Sequence, residues 1–324
     1  MTPRARVFLV VTSAAAVAAI ATVGGTVLLS RGQASGTDRA GVRPGRPPLV
    51  LDFGVRTGPE VTALRRAAAL YSKGREREAA AIFGRYGSLQ AQVGAALAAW
   101  PGGTLVALDR LAREHPRSGL VRLHLGLAFL WSRRDVEAVA QWRRVLRVDP
   151  DSPAAIAAEN VLFPKFFRGR PVFVPGFAAP AELGALPPAR ALSFLERRAR
   201  ARDAHAKLLY GVALQRLGRS ESAERQFRAA AALAPRDPEA RVAAAVGLFE
   251  KSNPSRAFSR LGPLVRTFPR AATVRFHLGL LLLWLGRVDE AKRQLTLARA
   301  DAPRSTLGRE ANRFLVRLRG IGTS

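Results

Sequence analysis

The sequence predicts an all-α fold, namely an α-solenoid of helical hairpins in two duplicated three-repeat blocks, preceded by one N-terminal transmembrane helix. Three observations support this prediction. Prolines recur at intervals of 34 residues, at Pro235, Pro269 and Pro303. Residues 121–138 and 274–291, which start 153 positions apart, are identical at eleven of eighteen positions. A stretch near the N-terminus is apolar and uncharged over a length that suits a membrane span.

The N-terminal apolar stretch, residues 7–29, follows a short tail of residues 1–6. Its 23 residues would extend about 34 Å as a helix, more than a hydrocarbon core of about 30 Å. A cleaved signal peptide is the alternative, although its apolar region is usually only about 7–15 residues long. Basic residues flank both ends of the stretch, and a short N-terminal tail usually stays cytoplasmic. The expected location is therefore a bacterial cytoplasmic membrane, crossed once, with the repeats on its extracytoplasmic side.

The rest of the chain divides by composition. Residues 30–59 are rich in Gly, Pro and Arg, lack apolar periodicity and are expected to form a flexible stalk. In residues 163–188 five Phe and six Pro interrupt every helical period, so a joint is expected there. The predicted segments after the stalk are the first block with its capping helix (60–163), the Phe/Pro-rich joint (164–188), the second block with lead-in and capping helices (189–319) and a tail (320–324).

Small residues recur in register with the prolines. In three successive repeats they are Gly211, Ala245 and Gly279, then Gly218, Ser252 and Gly286, then Ala223, Ala257 and Ala291. Small side chains let the two helices of a hairpin approach closely, and a proline ends the second helix. Each repeat is therefore predicted to consist of a helix, a tight turn and a second helix.

This pattern resembles the tetratricopeptide repeat family, whose unit of about 34 residues has small residues at its eighth and twentieth positions and a proline at its thirty-second. Residues 204–237 match that unit best, at Tyr210, Gly211, Leu214, Gly218, Ala223, Phe227, Ala230 and Pro235. Further units are predicted at 60–86, 85–118, 119–152, 238–271 and 272–305. The resemblance implies that the first helices of the units line a concave wall, which holds an extended peptide or a partner helix.

The internal duplication extends beyond the two similar stretches. The same offset of 153 positions also relates Pro116 to Pro269, which indicates that a whole three-repeat block was duplicated. Each block is followed by one more predicted helix, at 152–163 and at 305–319. Such a helix would cover the last open apolar face of the block, as the ends of a solenoid require.

The family resemblance places one set of side chains on the concave walls and makes them the candidate partner-binding residues. They are Leu123, His124, Leu127, Trp131, Phe276, His277, Leu280 and Trp284. Tryptophan is over-represented among residues that dominate interface energies, so the wall is predicted to bind a protein or peptide partner. The alternative is that a neighbouring helix, or the Phe/Pro-rich joint folding back, covers these aromatic side chains.

The net charge of the chain is +28, from 52 basic and 24 acidic residues. Such a surplus would attract nucleic acid, acidic lipid or an anionic cell-wall polymer, and this is the alternative function. Nucleic acid is not favoured, because the basic residues are scattered along the chain. The composition of a GC-rich bacterial genome, rich in Arg, Ala and Gly, would also explain the surplus.

Catalytic motifs are absent from the sequence. The chain has four His and no Cys, and it contains neither a phosphate-binding glycine-lysine loop nor a G-x-S-x-G turn. His124 and His277 lie in different blocks and lack an acidic partner nearby in the sequence, which disfavours a metal site. We therefore expect a non-catalytic scaffold without a cofactor or metal.

Overall fold

A computed structural model describes residues 43–319 of the chain. The predicted span 7–29, the tails 1–6 and 320–324 and residues 30–42 of the expected stalk lie outside these residues. The chain divides into two compact units, with the boundary between Leu162 and Phe163. The described parts of the units are residues 43–162 and residues 163–319.

Within residues 43–319, every helix is too short or too polar to cross a bilayer. This finding contradicts the expected localisation in a membrane with the repeats on its extracytoplasmic side.

The first unit consists of α-helices joined by short turns. They are α1 (Pro59–Ser72), α2 (Glu76–Phe83), α3 (Leu89–Ala98), α4 (Thr104–Glu114), α5 (Gly119–Trp131), α6 (Asp135–Val148) and α7 (Pro153–Leu162). Consecutive helices pack as the hairpins α1/α2, α3/α4 and α5/α6, and α7 packs against both helices of the last hairpin. The expected series of three hairpins closed by one further helix is therefore present in this unit.

The second unit repeats this order with one helix in front. Its helices are α8 (Pro188–Ala199), α9 (Ala204–Arg216), α10 (Ser220–Leu233), α11 (Pro238–Gly247), α12 (Ser255–Leu261), α13 (Leu264–Thr267), α14 (Ala272–Trp284), α15 (Val288–Asp301) and α16 (Thr306–Leu318). A short 3₁₀ helix, Ala181–Ala185, precedes α8. The hairpins are α9/α10, α11 with α12 and α13, and α14/α15, while α8 packs on α9 and α16 packs on α15.

The middle repeat of the second unit departs from the expected pair of helices. Its second helix is broken into α12 and α13 at Gly262 and Pro263. A proline inside a helix lacks the N–H needed for the backbone hydrogen bond and clashes with the preceding turn. The break follows from that residue, and α14 packs against α11, α12 and α13.

Local sequence signals explain where several helices begin. A side-chain oxygen accepts a hydrogen bond from a backbone N–H of the first turn at Ser88, Ser118, Asp203, Asp237 and Ser305. Such caps satisfy backbone donors that have no partner within the helix.

Close contacts within the hairpins occur where the sequence places glycine. A Cβ atom added to Gly126 of α5 would lie 2.4 Å from Nε1 of Trp142 on α6. A Cβ atom added to Gly211 of α9 would lie 2.4 Å from the ring of Phe227 on α10. The small residues of the repeat therefore point into the helix junctions, as predicted, and the all-α fold of repeated helical hairpins is confirmed.

Candidate functional site

Two buried histidines occupy matching positions in the two units. His124 on α5 is 0% exposed and His277 on α14 is 1% exposed. In each ring Nδ1 lies 2.7 Å from the carbonyl oxygen one helical turn earlier, that of Leu120 or Thr273. Burial lowers the pKa of both imidazoles to about 4, against the opposing effect of those hydrogen bonds. Both rings are therefore neutral near pH 7.

The second ring nitrogen of each histidine accepts a backbone hydrogen bond from a distant segment of the same unit. The N–H of Val50 donates to Nε2 of His124 over 3.0 Å, and the N–H of Val174 donates to Nε2 of His277 over 2.9 Å. Since a backbone amide only donates, Nε2 is the acceptor in both rings and Nδ1 carries the proton. The neutral tautomer is thereby determined by the two contacts of each ring.

The segments that reach the histidines are extended and lie against the helices of their own unit. We call residues 43–53 the first strap and residues 167–177 the second strap. Neither strap contains helix. Each strap begins at the tryptophan that ends α5 or α14: the N–H of Arg43 donates to the carbonyl of Trp131 over 2.7 Å, and the ring of Phe167 packs edge-on against Trp284 with centroids 5.8 Å apart.

The second strap is held mainly through its backbone. Lys251 Nζ donates to the carbonyl of Phe167 over 2.7 Å, and Gln215 Oε1 accepts from the N–H of Phe173 over 3.0 Å. The N–H of Gly176 lies 3.2 Å from both carboxylate oxygens of Glu239. With His277, four side chains from successive parts of the unit contact main-chain atoms of one extended segment.

Among the side chains that contact the second strap, Glu239 has a carboxyl group whose pKa is shifted. Burial raises the pKa of its carboxyl group to about 7; the N–H of Gly176 opposes this rise, the nearby charge of Asp237 adds to it, and a hydrogen bond with Thr273 opposes it. The carboxylate form accepts the strap N–H, whereas burial favours the protonated form. The charge at this contact therefore changes close to neutral pH.

Aromatic side chains of the second strap fill apolar sites on the helices. Phe173 is 1% exposed, packs edge-on against Phe227 at 5.6 Å between centroids and stacks on His277 at 5.1 Å. Phe177 stacks on His205 with centroids 4.3 Å apart. The Phe/Pro-rich joint therefore lies against Trp284 and His277, which is the arrangement that the alternative drawn from the sequence describes.

The first strap is held on its unit by other side chains. The hydroxyl of Tyr71 donates to the carbonyl of Pro47 over 2.6 Å, and burial raises the pKa of that hydroxyl. The guanidinium of Arg46 pairs with Glu76 and lies over the ring of Tyr71, 5.3 Å from its centroid. Phe53 is 7% exposed and belongs to the core of the unit.

The position of the first strap differs from the expected flexible stalk. Residues 43–53 belong by composition to the stalk 30–59, yet their side chains and backbone are fixed on the first unit by Tyr71, His124 and Glu76. The physical reason is that Gly and Pro suit a bound extended backbone as well as a free linker.

The predicted wall residues separate into two groups. Leu123 and Leu127 belong to a buried cluster with α6 and α7, and Phe276 and Leu280 belong to a buried cluster with α15 and α16. These four do not line an open wall, because the last helix of each unit covers them. His124, His277 and Trp284 are also buried but face the straps, and Trp131 is half-buried.

Four residues that hold the straps were not predicted from the sequence: Tyr71, Gln215, Glu239 and Lys251. The available signal was a short pattern that both straps share, Gly-Arg-Pro at 45–47 and at 169–171 followed by Val and Phe at equal spacing. Within residues 43–319, His, Cys, Asp and Glu form no group of three or more that could hold a metal ion.

No family model matches the chain, and no curated protein matches it. Solved structures that resemble it include a tetratricopeptide repeat protein from Parabacteroides merdae, with 12% identity, 80% of this chain and 98% of that chain covered, and a TM-score of 0.34. YrrB, a TPR protein with an unusual peptide-binding site, has 18% identity, 64% and 98% coverage and a TM-score of 0.31. The TPR2AB-domain:pHSP90 complex of yeast Sti1 has 12% identity, 80% and 97% coverage and a TM-score of 0.29. The repeat architecture itself rests on the helical hairpins of this chain.

Proposed function

We propose that this protein is a non-catalytic scaffold that binds extended segments of partner proteins at the two surfaces on which the straps lie. We call these surfaces the first groove, formed around Tyr71, Glu76 and His124, and the second groove, formed around Gln215, Glu239, Lys251 and His277. The observation that carries the proposal is that α5 of the first unit and α14 of the second each hold an extended backbone through a buried, neutral histidine. A groove that holds a segment of its own chain in this way has the shape and the donors and acceptors to hold a similar segment of another protein.

The chemistry of the second groove favours a peptide over other ligands. Lys251 presents a donor for a carbonyl, whereas Gln215 and His277 present acceptors for amide N–H groups. Alternating carbonyl and amide groups are characteristic of a peptide main chain. The apolar sites filled by Phe173 and Phe177 would add specificity for side chains, as pockets do when an extended peptide is bound.

Several exposed arginines pair with an acidic residue in the first turn of the helix that they precede. Arg75 pairs with Glu78, Arg134 with Glu137 and Arg287 with Glu290, each three residues apart. Such pairs contribute little to stability, but they reduce the positive potential that those arginines would present to a polyanion. The preference for a peptide over the anionic-polymer alternative rests on the donors and acceptors of the second groove.

The proposal is tested by selecting peptides from a random display library against the full chain that carries Phe177→Ala, which weakens the hold of the second strap. The expected result is a set of peptides whose affinity falls about tenfold or more when His277→Phe is added, because one hydrogen bond to the peptide backbone is lost. His115→Phe is the matched control, since His115 is exposed and lies outside the grooves. If none of the selected peptides depends on His277, the groove is not a binding site and the proposal fails.

A further inference from the structure

The two straps share a sequence pattern, and this pattern does not follow the spacing of the duplicated helices. Residues 45–53 read GRPPLVLDF and residues 169–177 read GRPVFVPGF, with five identical residues among nine. The straps are 124 positions apart, whereas the duplicated helices are 153 apart. The spacing between strap and histidine thus differs between the units while the pattern Gly-Arg-Pro-x-(Leu/Phe)-Val-x-x-Phe is the same.

The shared residues are ones whose backbone or side chain is constrained in the groove. Gly45 and Gly169 have φ of +81° and +83°, a left-handed conformation that other residues rarely adopt. The valine that both straps share, Val50 or Val174, supplies the N–H that donates to the buried histidine of its unit. The shared proline is buried in both straps.

The end of the pattern is anchored by an aromatic ring in both units. Phe53 is buried in the core of the first unit, and Phe177 stacks on His205 in the second. Between the valine and this ring, the pattern places an acidic residue, the exposed Asp52, in one strap and Gly176 in the other. The two grooves therefore retain the ring position and tolerate different residues before it.

We propose that each groove recognises the pattern Gly-Arg-Pro-x-(Leu/Phe)-Val-x-x-Phe in an extended partner segment, and that the strap is a resident occupant which such a segment displaces. This inference rests on the proposed function and adds to it the chemistry of the partner and the means of regulation. The strap then acts as an intramolecular competitor, and binding of a partner requires release of the strap without unfolding of the helices.

The tether gives the strap an advantage that a partner must overcome. A segment joined by a short linker acts at an effective concentration on the order of millimolar. The strap nevertheless lacks the internal backbone hydrogen bonds of a helix, and Val50 of the first strap is 41% exposed. Segments of this kind open locally at lower free energy than the helical core.

The test uses the unmodified full chain and synthetic peptides, with hydrogen exchange of the chain measured by mass spectrometry. A peptide with the sequence of residues 43–55 is added, and exchange is followed in residues 167–177 of the second strap. The control peptide carries N-methylvaline at the position of Val50, which removes the N–H that a histidine would accept and keeps the side chain. We expect the peptide of residues 43–55, at millimolar concentration, to accelerate hydrogen exchange in the second strap about tenfold and to leave exchange in the helices unchanged. The control peptide should need about tenfold higher concentration for the same acceleration.

A second measurement reduces the competition by the tethered strap. The fluorescently labelled peptide is titrated into the Phe177→Ala chain, followed by anisotropy, and we expect binding that His277→Phe weakens about tenfold. Absence of both exchange acceleration and binding would overturn the inference. So would a doubling of the mass of the Phe177→Ala chain in light scattering, because the groove would then be occupied by the strap of a second copy. If library peptides that lack the pattern bind the groove, the proposed function stands and this inference falls; if neither kind binds, both fall.

Discussion

The backbone N–H of Val174 donates to Nε2 of His277 across 2.9 Å, and the imidazole that receives it is stacked on the ring of the neighbouring Phe173. One buried side chain therefore satisfies a main-chain donor and supports an aromatic side chain of the same extended segment. His124 makes the corresponding hydrogen bond to Val50 in the first unit. The histidines are thus the link between the helices and the straps in both units.

Replacing His277 by Phe should destabilise the second unit by about 1–3 kcal/mol, because the N–H of Val174 loses its acceptor and remains partly buried. The measurement is the free energy of unfolding from urea denaturation. His115→Phe makes the same chemical change at an exposed position and should alter the free energy of unfolding by less than about 0.5 kcal/mol. Equal effects of the two substitutions would contradict a role for His277 in holding the strap.

Acid should destabilise both units through their histidines. The folded-state pKa of His124 and of His277 is lowered from 6.5 to about 4, so the unfolded chain binds more protons between these values. Stability from each histidine is complete above pH 6.5 and is lost as the pH falls through 4, by on the order of 3 kcal/mol per residue. Urea denaturation between pH 7 and pH 4 should show a steeper loss for the unmodified chain than for the variant with His124→Phe and His277→Phe. Parallel curves would show that the rings are not buried in the neutral form.

Glu239 should have the opposite dependence on pH. The folded-state pKa of its carboxyl group is raised from 4.5 to about 7, so the folded chain binds more protons between these values. The stability that it contributes is present below pH 4.5 and is lost as the pH rises through 7. Glu239→Gln keeps an acceptor for the N–H of Gly176 without the charge. The variant should exceed the unmodified chain in free energy of unfolding by on the order of 1–2 kcal/mol at pH 8 and match it at pH 4, since partial contact with water reduces the effect.

The control for this prediction is Glu221→Gln, which removes a carboxylate whose side chain is half exposed at the beginning of α10. It should leave the difference between pH 4 and pH 8 unchanged. An equal stability of Glu239→Gln and the unmodified chain at pH 8 would mean that the carboxylate is stabilised by the strap rather than disfavoured by burial.

The hairpins could be predicted from the sequence because their packing needs small residues at fixed intervals. Gly126 and Gly211 face large aromatic side chains of the next helix. Because every hairpin needs a small residue at this position, small residues recur every 34 residues in the sequence. The straps could not be predicted in the same way. An extended segment has no helical period, and the offset between the straps differs from that between the helices.

The wall residues could not be fully assigned for a different physical reason. The helix α5 is apolar around most of its circumference, so its pattern does not show which side will face a strap and which will face α7. Leu123 and His124 are adjacent in sequence, yet the first packs with α6 and α7 while the second accepts a hydrogen bond from Val50. Only the position of the covering helix distinguishes the two sides.

The last prediction concerns the pairing of residue sizes within a hairpin. A Cβ atom on Gly211 would lie 2.4 Å from the ring of Phe227, so Gly211→Ala should destabilise the second unit by about 1–3 kcal/mol. In the next repeat the matching positions are Ala245 and Leu261, both buried, which shows that a methyl group fits opposite a smaller side chain. Adding Phe227→Leu to Gly211→Ala should therefore cost less than the sum of the single substitutions in a double-mutant cycle. Gly184→Ala, at a site with no atom within 4 Å of the added Cβ, is the matched control and should be nearly neutral. Strict additivity of the two substitutions would mean that the hairpin relaxes around the methyl group without help from the smaller partner.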